Sequence, residues 1–180
     1  NYKVNKISRS NENVRISIEN EYLDYDQVVL ASHADQSLKI LDKPTNEERE
    51  ILSKFTYVSN DAFLHTDTNL MPLRKKAWSS WNSITKNSKT CVTYWLNKLQ
   101  NLKTNKNYFL TLNPVEKIDD KKIIKKINFT HPYFNKSNVK LQKNLYLLQG
   151  KKRTWFCGSY FGYGFHEDGL KSSIKLLEKF

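Results

Sequence analysis

The chain has 180 residues, 38% of them hydrophobic and 13% aromatic, which suits one well-cored domain or parts of two and excludes a disordered tail. No apolar run reaches the roughly 20 residues of a membrane-spanning helix, and no signal peptide opens the sequence. Two cysteines, Cys91 and Cys157, make no disulfide framework, so buried thiols and a cytoplasmic setting are expected. The net charge of +12 is unevenly spread: residues 1–60 carry 8 basic and 10 acidic side chains (−2), residues 61–180 carry 22 and 8 (+14). The basic runs at Lys121 to Lys126 and Lys151 to Arg153 are compatible with phosphate binding. A chain rich in Lys and Asn also reads as a solvated surface that favours solubility. Asn1 is not an initiator and Met71 is the sole methionine, so a fragment of a longer protein is expected.

In chain order, Val14, Ile16 and Ile18 alternate with polar residues after the turn sequence Ser10 to Asn13, which predicts a β-hairpin. Gln27 to Ser32 is a continuous apolar run of strand length, expected to be central in a sheet and buried on both faces. Thr45 precedes Asn46, Glu47 and Glu48 as an N-cap, so a short helix follows. From about 56 to 128, aromatic and β-branched segments without helical period predict a mostly antiparallel layer, turning helical after Tyr94. Val139, Leu141, Leu145, Leu147 and Leu148 predict an amphipathic helix closed by Gly150.

The last stretch reads strand, loop, helix. Arg153 to Phe161 is apolar. Asp168 is placed as the N-cap of a helix with Leu170, Ile174 and Leu177 on one face. All five glycines fall between Gly150 and Gly169. Glycine permits sharp turns and close approach, and a strand end facing a helix N-terminus is where open α/β sheets bind ligands, anions above all. An ordinary glycine-rich connection reads equally well from the glycines alone. His-x-Asp occurs at His33/Asp35, His65/Asp67 and His166/Asp168; turn and capping roles for the aspartates are preferred to a metal site, and no metal is expected. Trp78, Trp81, Trp95 and Trp155, with Tyr160, Phe161, Tyr163 and Phe165, suit core packing first and a substrate cleft second.

The blocks "VVLASHADQ", "HTDTNLMP", "AWSSWN", "CVTYWLNKLQ" and "RTWFCGSYFGYGFHEDGL" resemble the flavin-containing amine oxidase superfamily, in its bacterial NAD/FAD-binding, amine-oxidase-like branch. The resemblance implies a mixed α/β fold, the C-terminal part of a two-domain FAD-binding architecture. Residues 1–32 would belong to the β-meander of the FAD domain and 33–56 to a crossing segment with a short helix. Residues 57–128 would form a substrate domain with a mostly antiparallel sheet, and 129–180 the returning strand and helix. FAD is the implied cofactor, with Gly158, Ser159, Tyr160, Asp168, Gly169 and Leu170 as its contacts. The N–H groups of Gly169 and Leu170 would face flavin N1 and the C2 carbonyl. Ser159 stands where the family carries an acid. His65 lies in the stretch where many members place a catalytic lysine, and is the candidate catalytic residue. The G-x-G-x-x-G fingerprint is missing, because no glycine precedes Gly150, so an N-terminal half of the protein is the expected partner. The implied activity is hydride transfer from an amine or a carbon–carbon bond, in a small-molecule or lipid substrate, to flavin N5. A basic nucleic-acid-binding module and an inactive interaction domain are the alternatives.

Overall fold

A computed structural model describes residues 2–180. The chain divides into two compact units: one joins the segment through Val58 to Pro132–Phe180, and the other is Ser59–His131. No helix among the described residues is long and apolar enough to cross a membrane.

The first unit opens with an antiparallel meander, β1 (Val4–Arg9), β2 (Val14–Ile18) and β3 (Glu21–Tyr25). The predicted turn closes it: Ser10 and Asn13 bond through their main chains at 2.9 Å, and the Ser10 hydroxyl accepts from the Asn13 N–H at 2.9 Å. Alternation buries Val14 completely, beside Ile7 of β1. Then come β4 (Val28–Leu30), α1 (Ala34–Ile40) and α2 (Asn46–Leu52). Thr45 caps α2 as its sequence predicts: its hydroxyl accepts from the Glu48 N–H at 3.1 Å, and the Glu48 carboxylate returns to the Thr45 N–H at 2.6 Å. Helix α1 is not foreseen, because His33 precedes it without a side-chain cap.

The second unit is a five-stranded antiparallel sheet in the order β6-β7-β8-β5-β9. Its strands are β5 (Thr56–His65), β6 (Trp81–Lys86), β7 (Lys89–Trp95), β8 (Phe109–Leu112) and β9 (Ile123–Tyr133). The single turn α3 (Leu96–Leu99) follows Tyr94 as expected. Leu70, Cys91 and Ile118 form its apolar centre. Trp78 packs edge-on against Trp95 and Phe109.

The returning segment departs from expectation in several places. The predicted long helix is short: α4 (Lys136–Leu141) gives way to 3-10 turns over Gln142–Leu147, and Leu147 is exposed. Asn135 supplies an N-cap the sequence reading passed over. Gly150 does end the segment, in the left-handed conformation. Strand β10 is only Thr154–Phe156; Ser159–Phe161 is a 3-10 turn. Helix α5 (His166–Leu177) starts before Asp168, which is its third residue and not its cap.

Strands β10 and β4 pair in parallel, Thr154 with Val28 and Phe156 with Leu30, and form a sheet of two strands. The expectation of a strand buried on both faces fails at Val29, which is 45% exposed. On the outer edge of β10, the Gln149 amide stands in for a strand: it accepts from the Phe156 N–H and donates to the Phe156 carbonyl, both at 2.9 Å. The core of this unit gathers Ile7, Val14, Leu30, Leu52, Leu145 and Phe156. Beside it, Arg9 and Glu48 form a buried bidentate ion pair, and Arg9 also donates to the Thr154 hydroxyl at 3.1 Å.

Candidate functional site

The candidate site is the link from β10 to α5. After Cys157 the chain turns at Gly158, whose φ of +147° suits glycine; a Cβ there would lie 2.8 Å from the Tyr160 ring. The Gly158 N–H donates to the Ser172 hydroxyl at 2.9 Å, and that hydroxyl donates to the Gly169 carbonyl at 2.7 Å. The strand end is thereby fastened to the second turn of α5. Gln142 donates to the Tyr160 and Gly162 carbonyls and holds the loop from below. Asp168 accepts from the Tyr163 and Phe165 N–H groups, both at 3.0 Å. Gly162 lies so close to this carboxylate that any Cβ would collide with it. As the third helical residue, Asp168 closes the N-terminus from inside the helix, a role that its place before Gly169 conceals.

Gly169 is different. A Cβ there would meet only the Ser159 nitrogen, at 3.7 Å, an ordinary contact. No neighbour among the described residues demands glycine at a helical position where it costs roughly 1 kcal/mol against alanine. The Ser159 hydroxyl makes no hydrogen bond among the described residues.

The hydrogen bonds also reassign the donors. Gly169 gives its N–H to the Phe165 carbonyl at 3.3 Å, and Leu170 lies one residue deeper in the helix, so neither offers a free donor. Among the described residues, the groups left unpaired by the first turn are the N–H groups of His166 and Glu167. The face expected to be buried is turned outward as well: Leu170, Ile174 and Leu177 are exposed, and Ser172 and Leu176 are buried. Small residues let α5 lie close to β10, where Leu176 packs on Trp155 and Cys157.

Tyr160 is buried against Phe55 and Phe161, and its hydroxyl has no partner among the described residues. Burial raises its phenol well above the ordinary value, with Tyr57 and Cys157 adding to the effect. Tyr57, which the sequence did not single out, accepts from the Ala34 N–H at 2.8 Å and stacks on His33 at 4.1 Å. Burial pushes its phenol up to about 12, although the Ala34 N–H works the other way. Both tyrosines are neutral near pH 7. Tyr163 and Phe165 are exposed, and Trp155 is buried.

His65 lies in the second unit, fully buried. Its Nδ1 accepts from the Asp67 N–H at 3.1 Å, which places the ring proton on Nε2, facing the Thr111 hydroxyl at 2.7 Å; Thr111 continues to Thr93 at 2.8 Å. Burial lowers the His65 pKa, opposed by Asp67. The Asp67 carboxylate is taken by the Asp119 and Asn69 N–H groups and by Lys122. Both ring nitrogens of His65 are thus engaged by protein partners. Among the described residues no group of three or more His, Cys, Asp or Glu could hold a metal. Of the basic residues from Lys121 to Lys126, Lys122 serves Asp67, and Lys126 pairs with Asp61 at 2.9 Å and covers the Phe63 ring.

A meander, a parallel strand pair backed by a C-terminal helix and a separate antiparallel sheet make a mixed α/β architecture. No family model matches the sequence, and no curated protein does. Among solved structures, a CLA-producing fatty acid isomerase from P. acnes matches with a TM-score of 0.68 at 15% identity, over 99% of this chain and 47% of that one. Putrescine oxidase, in a structure bound to putrescine, matches with a TM-score of 0.60 at 8% identity, over 99% and 48%. The chain spans about half the length of these structures. At such identities the likeness fixes the fold.

Proposed function

We propose that the chain is a portion of an FAD-dependent oxidoreductase that takes hydride from an organic substrate. The observation that carries the reading is Gly169: a helical glycine that packing among the described residues does not require, beside Ser159, whose hydroxyl has no partner among those residues, and near the His166 and Glu167 N–H groups, which have none among them either. Such a surface fits a flat, anionic group. FAD, when bound, supplies the hydride acceptor, N5, with negative charge developing at N1 and the C2 carbonyl. The His166 and Glu167 N–H groups, at the positive end of a 12-residue helix, would stabilise that charge without reorganising. Ser159 would donate to a ribityl or phosphate oxygen, and Gly158 would let that part of the group pass close to the strand end. Tyr160, neutral in the folded state, offers its hydroxyl to a polar atom. Asp168 positions the two donors by holding the Tyr163–Phe165 main chain, and Leu170 contributes its backbone to the same turn.

His65 serves in this reading as a positioning residue of the second unit, since both its nitrogens are occupied. The fatty acid isomerase and putrescine oxidase bring forward the same two substrate classes, an acyl chain with a carbon–carbon bond to alter and an amine. The partner is the half of the protein that would carry the pyrophosphate-binding motif, in a reducing cytoplasm that suits the unpaired Cys91 and Cys157. The test is to purify the complete gene product and read its visible spectrum. A bound yellow chromophore, bleached without oxygen by a diamine or by an unsaturated fatty acid, is expected. A colourless protein that takes up no added FAD refutes the proposal.

A further inference from the structure

One end of the sheet in the second unit is marked by three register pairs: His65 with Phe109, Phe109 with Trp95, and Trp81 with Tyr94. Two loops leave the sheet there, residues 66–80 between β5 and β6 and residues 96–108 between β7 and β8. Both are fastened. The Trp78 indole N–H donates to the Pro72 carbonyl at 2.7 Å, and the Trp95 N–H ties the same loop to β7 through the Ser80 carbonyl at 2.9 Å. Asn97 closes the second loop, donating to the Lys106 carbonyl and accepting from the Tyr108 N–H, both at 2.8 Å.

From Thr68 through Val115 the sequence has no Asp or Glu, but eight Lys and Arg. Among the described residues only Lys86 of these eight meets a carboxylate, Glu116 at 2.8 Å, and that pair lies at the opposite end of the sheet. Arg74, Lys75, Lys76, Lys98, Lys103 and Lys106 stand exposed on the two loops. The acids flanking the stretch are engaged elsewhere: Asp67 is buried on Lys122, and Asp120 pairs with Lys117 at 2.8 Å. Between the cations stand apolar side chains: Leu73 is 105% exposed, Trp81 64%, Leu99 45% and Leu102 37%. Leu73 is held outward by its neighbours, since the Pro72 carbonyl is bonded to Trp78 and the Arg74 carbonyl accepts from the Ala77 N–H at 2.8 Å.

We propose that these two loops form a docking surface for an anionic lipid bilayer, with the cations at the lipid phosphates and Leu73, Trp81, Leu99 and Leu102 in the headgroup region. Charge complementarity selects a polyanionic surface, because nothing acidic in the stretch offsets its cations. The leucines then select lipid over nucleic acid. Phosphate backbones reward cations and bases reward flat rings, whereas three leucines among cations gain only where apolar depth lies beneath the charged layer. Trp81, edge-on to Tyr94 at 5.3 Å, has the amphipathic ring that settles at such an interface. The proposal does not rest on the flavin reading.

The test is co-sedimentation of the complete gene product with vesicles of phosphatidylcholine mixed with phosphatidylglycerol, and with vesicles of phosphatidylcholine alone. Binding to the mixed vesicles is expected, weakened by added salt, with little binding to the neutral ones. Lys76→Glu and Lys103→Glu, one on each loop, are each expected to lower the affinity about tenfold. Lys89→Glu is the control: it lies five strand steps away, about 17 Å, beyond the roughly 8 Å screening length, and is expected to change affinity less than about twofold. Leu73→Ser keeps every charge and is expected to cost about tenfold, because one leucine no longer leaves water. All four positions are exposed, so the unfolding midpoint should not move. No binding by the complete product overturns the proposal and gives this face to the rest of the protein. Equal binding to neutral vesicles, or full binding by Leu73→Ser, also overturns it. So does tighter binding to single-stranded RNA at the same salt, which would give the face to nucleic acid. A colourless protein that binds anionic vesicles through these residues removes the flavin reading and leaves this one standing.

Discussion

Replacing Gly169 with alanine separates what α5 needs for itself from what a ligand would need. The added methyl group meets only the Ser159 nitrogen, at 3.7 Å, and so enters without displacing anything. Gly169 sits in the fourth position of α5, where alanine is better than glycine by about 1 kcal/mol. The isolated chain is therefore expected to gain about that much, a rise of roughly 2–4 °C in unfolding midpoint at this size. If the proposed flavin lies there, the same methyl group occupies the surface its ring would use, and the larger Gly169→Val does so more fully. The flavin-to-protein ratio of the purified, folded variants is expected to fall in the order glycine, alanine, valine. Leu170→Ala is the control: with Leu170 exposed, it changes stability by no more than about 0.5 kcal/mol and leaves the ratio intact. A Gly169→Val protein that binds FAD at the original ratio refutes the cofactor role of this glycine. A Gly169→Ala chain that loses stability refutes the packing of Ser159 on α5.

Gln149→Leu removes both side-chain bonds to the buried Phe156 main chain, so a loss of about 3 kcal/mol is expected in denaturant unfolding; a change below about 0.5 kcal/mol would show that the edge of β10 needs no such closure. Arg9→Ala leaves Glu48 buried without its partner and is expected to cost about 3–5 kcal/mol by the same assay, with unchanged stability as the refuting result. Acidification should weaken the fold in two stages. Burial keeps the folded-state pKa of His65 below its unfolded value, so the unfolded chain binds the extra proton; stability is complete above about pH 6.5 and declines as pH falls from there through the lowered value. For Asp67, burial acts upward but is outweighed by the Asp119 N–H, Lys122 and the Asn69 N–H; its contribution is present above about pH 4 and is lost as pH falls through its depressed pKa. His65→Gln is expected to abolish the upper stage, and a denaturation midpoint that is flat from about pH 7 to 5 in the original chain would refute it.

Features set by neighbouring residues were legible in the sequence. The Thr45–Glu48 cap, the Ser10–Asn13 turn, the left-handed Gly150 and the turn of helix after Tyr94 each depend on a few adjacent side chains, and each is found. Features set by distant partners were not. Asp168 looks like an N-cap because the glycine follows it, but the chain from Tyr163 bends back onto its carboxylate, and the helix starts earlier. Leu170, Ile174 and Leu177 are spaced like a buried face, yet the serines and Leu176 lie against β10, because the small side chains allow the closer approach. Nothing local marks Gln149 as a substitute strand or Gln142 as the support of the glycine loop, since both bond to main chain that arrives later. The pattern around Gly158 and Gly169 located the candidate site. Which amides it leaves unpaired became visible only once the helix boundary was known.

The ion pair at Arg9 carries a consequence for how the chain comes into being. Arg9 reaches Glu48 across 39 positions and Thr154 across 145, and β4 waits for a partner strand that begins at Thr154. Everything between Ser59 and His131 belongs to a contiguous unit that is complete before that partner is made. Of the two units of this chain, the middle one is the first that can close on a ribosome emitting residues from the N-terminus. The opening meander must meanwhile keep a charged arginine and the apolar β4 in reserve for a strand not yet translated. Chains truncated after residue 140 should therefore resist protease across the middle unit and be cut readily between β3 and α2. Protection of that opening segment at this length would mean that the first unit does not wait for its C-terminus.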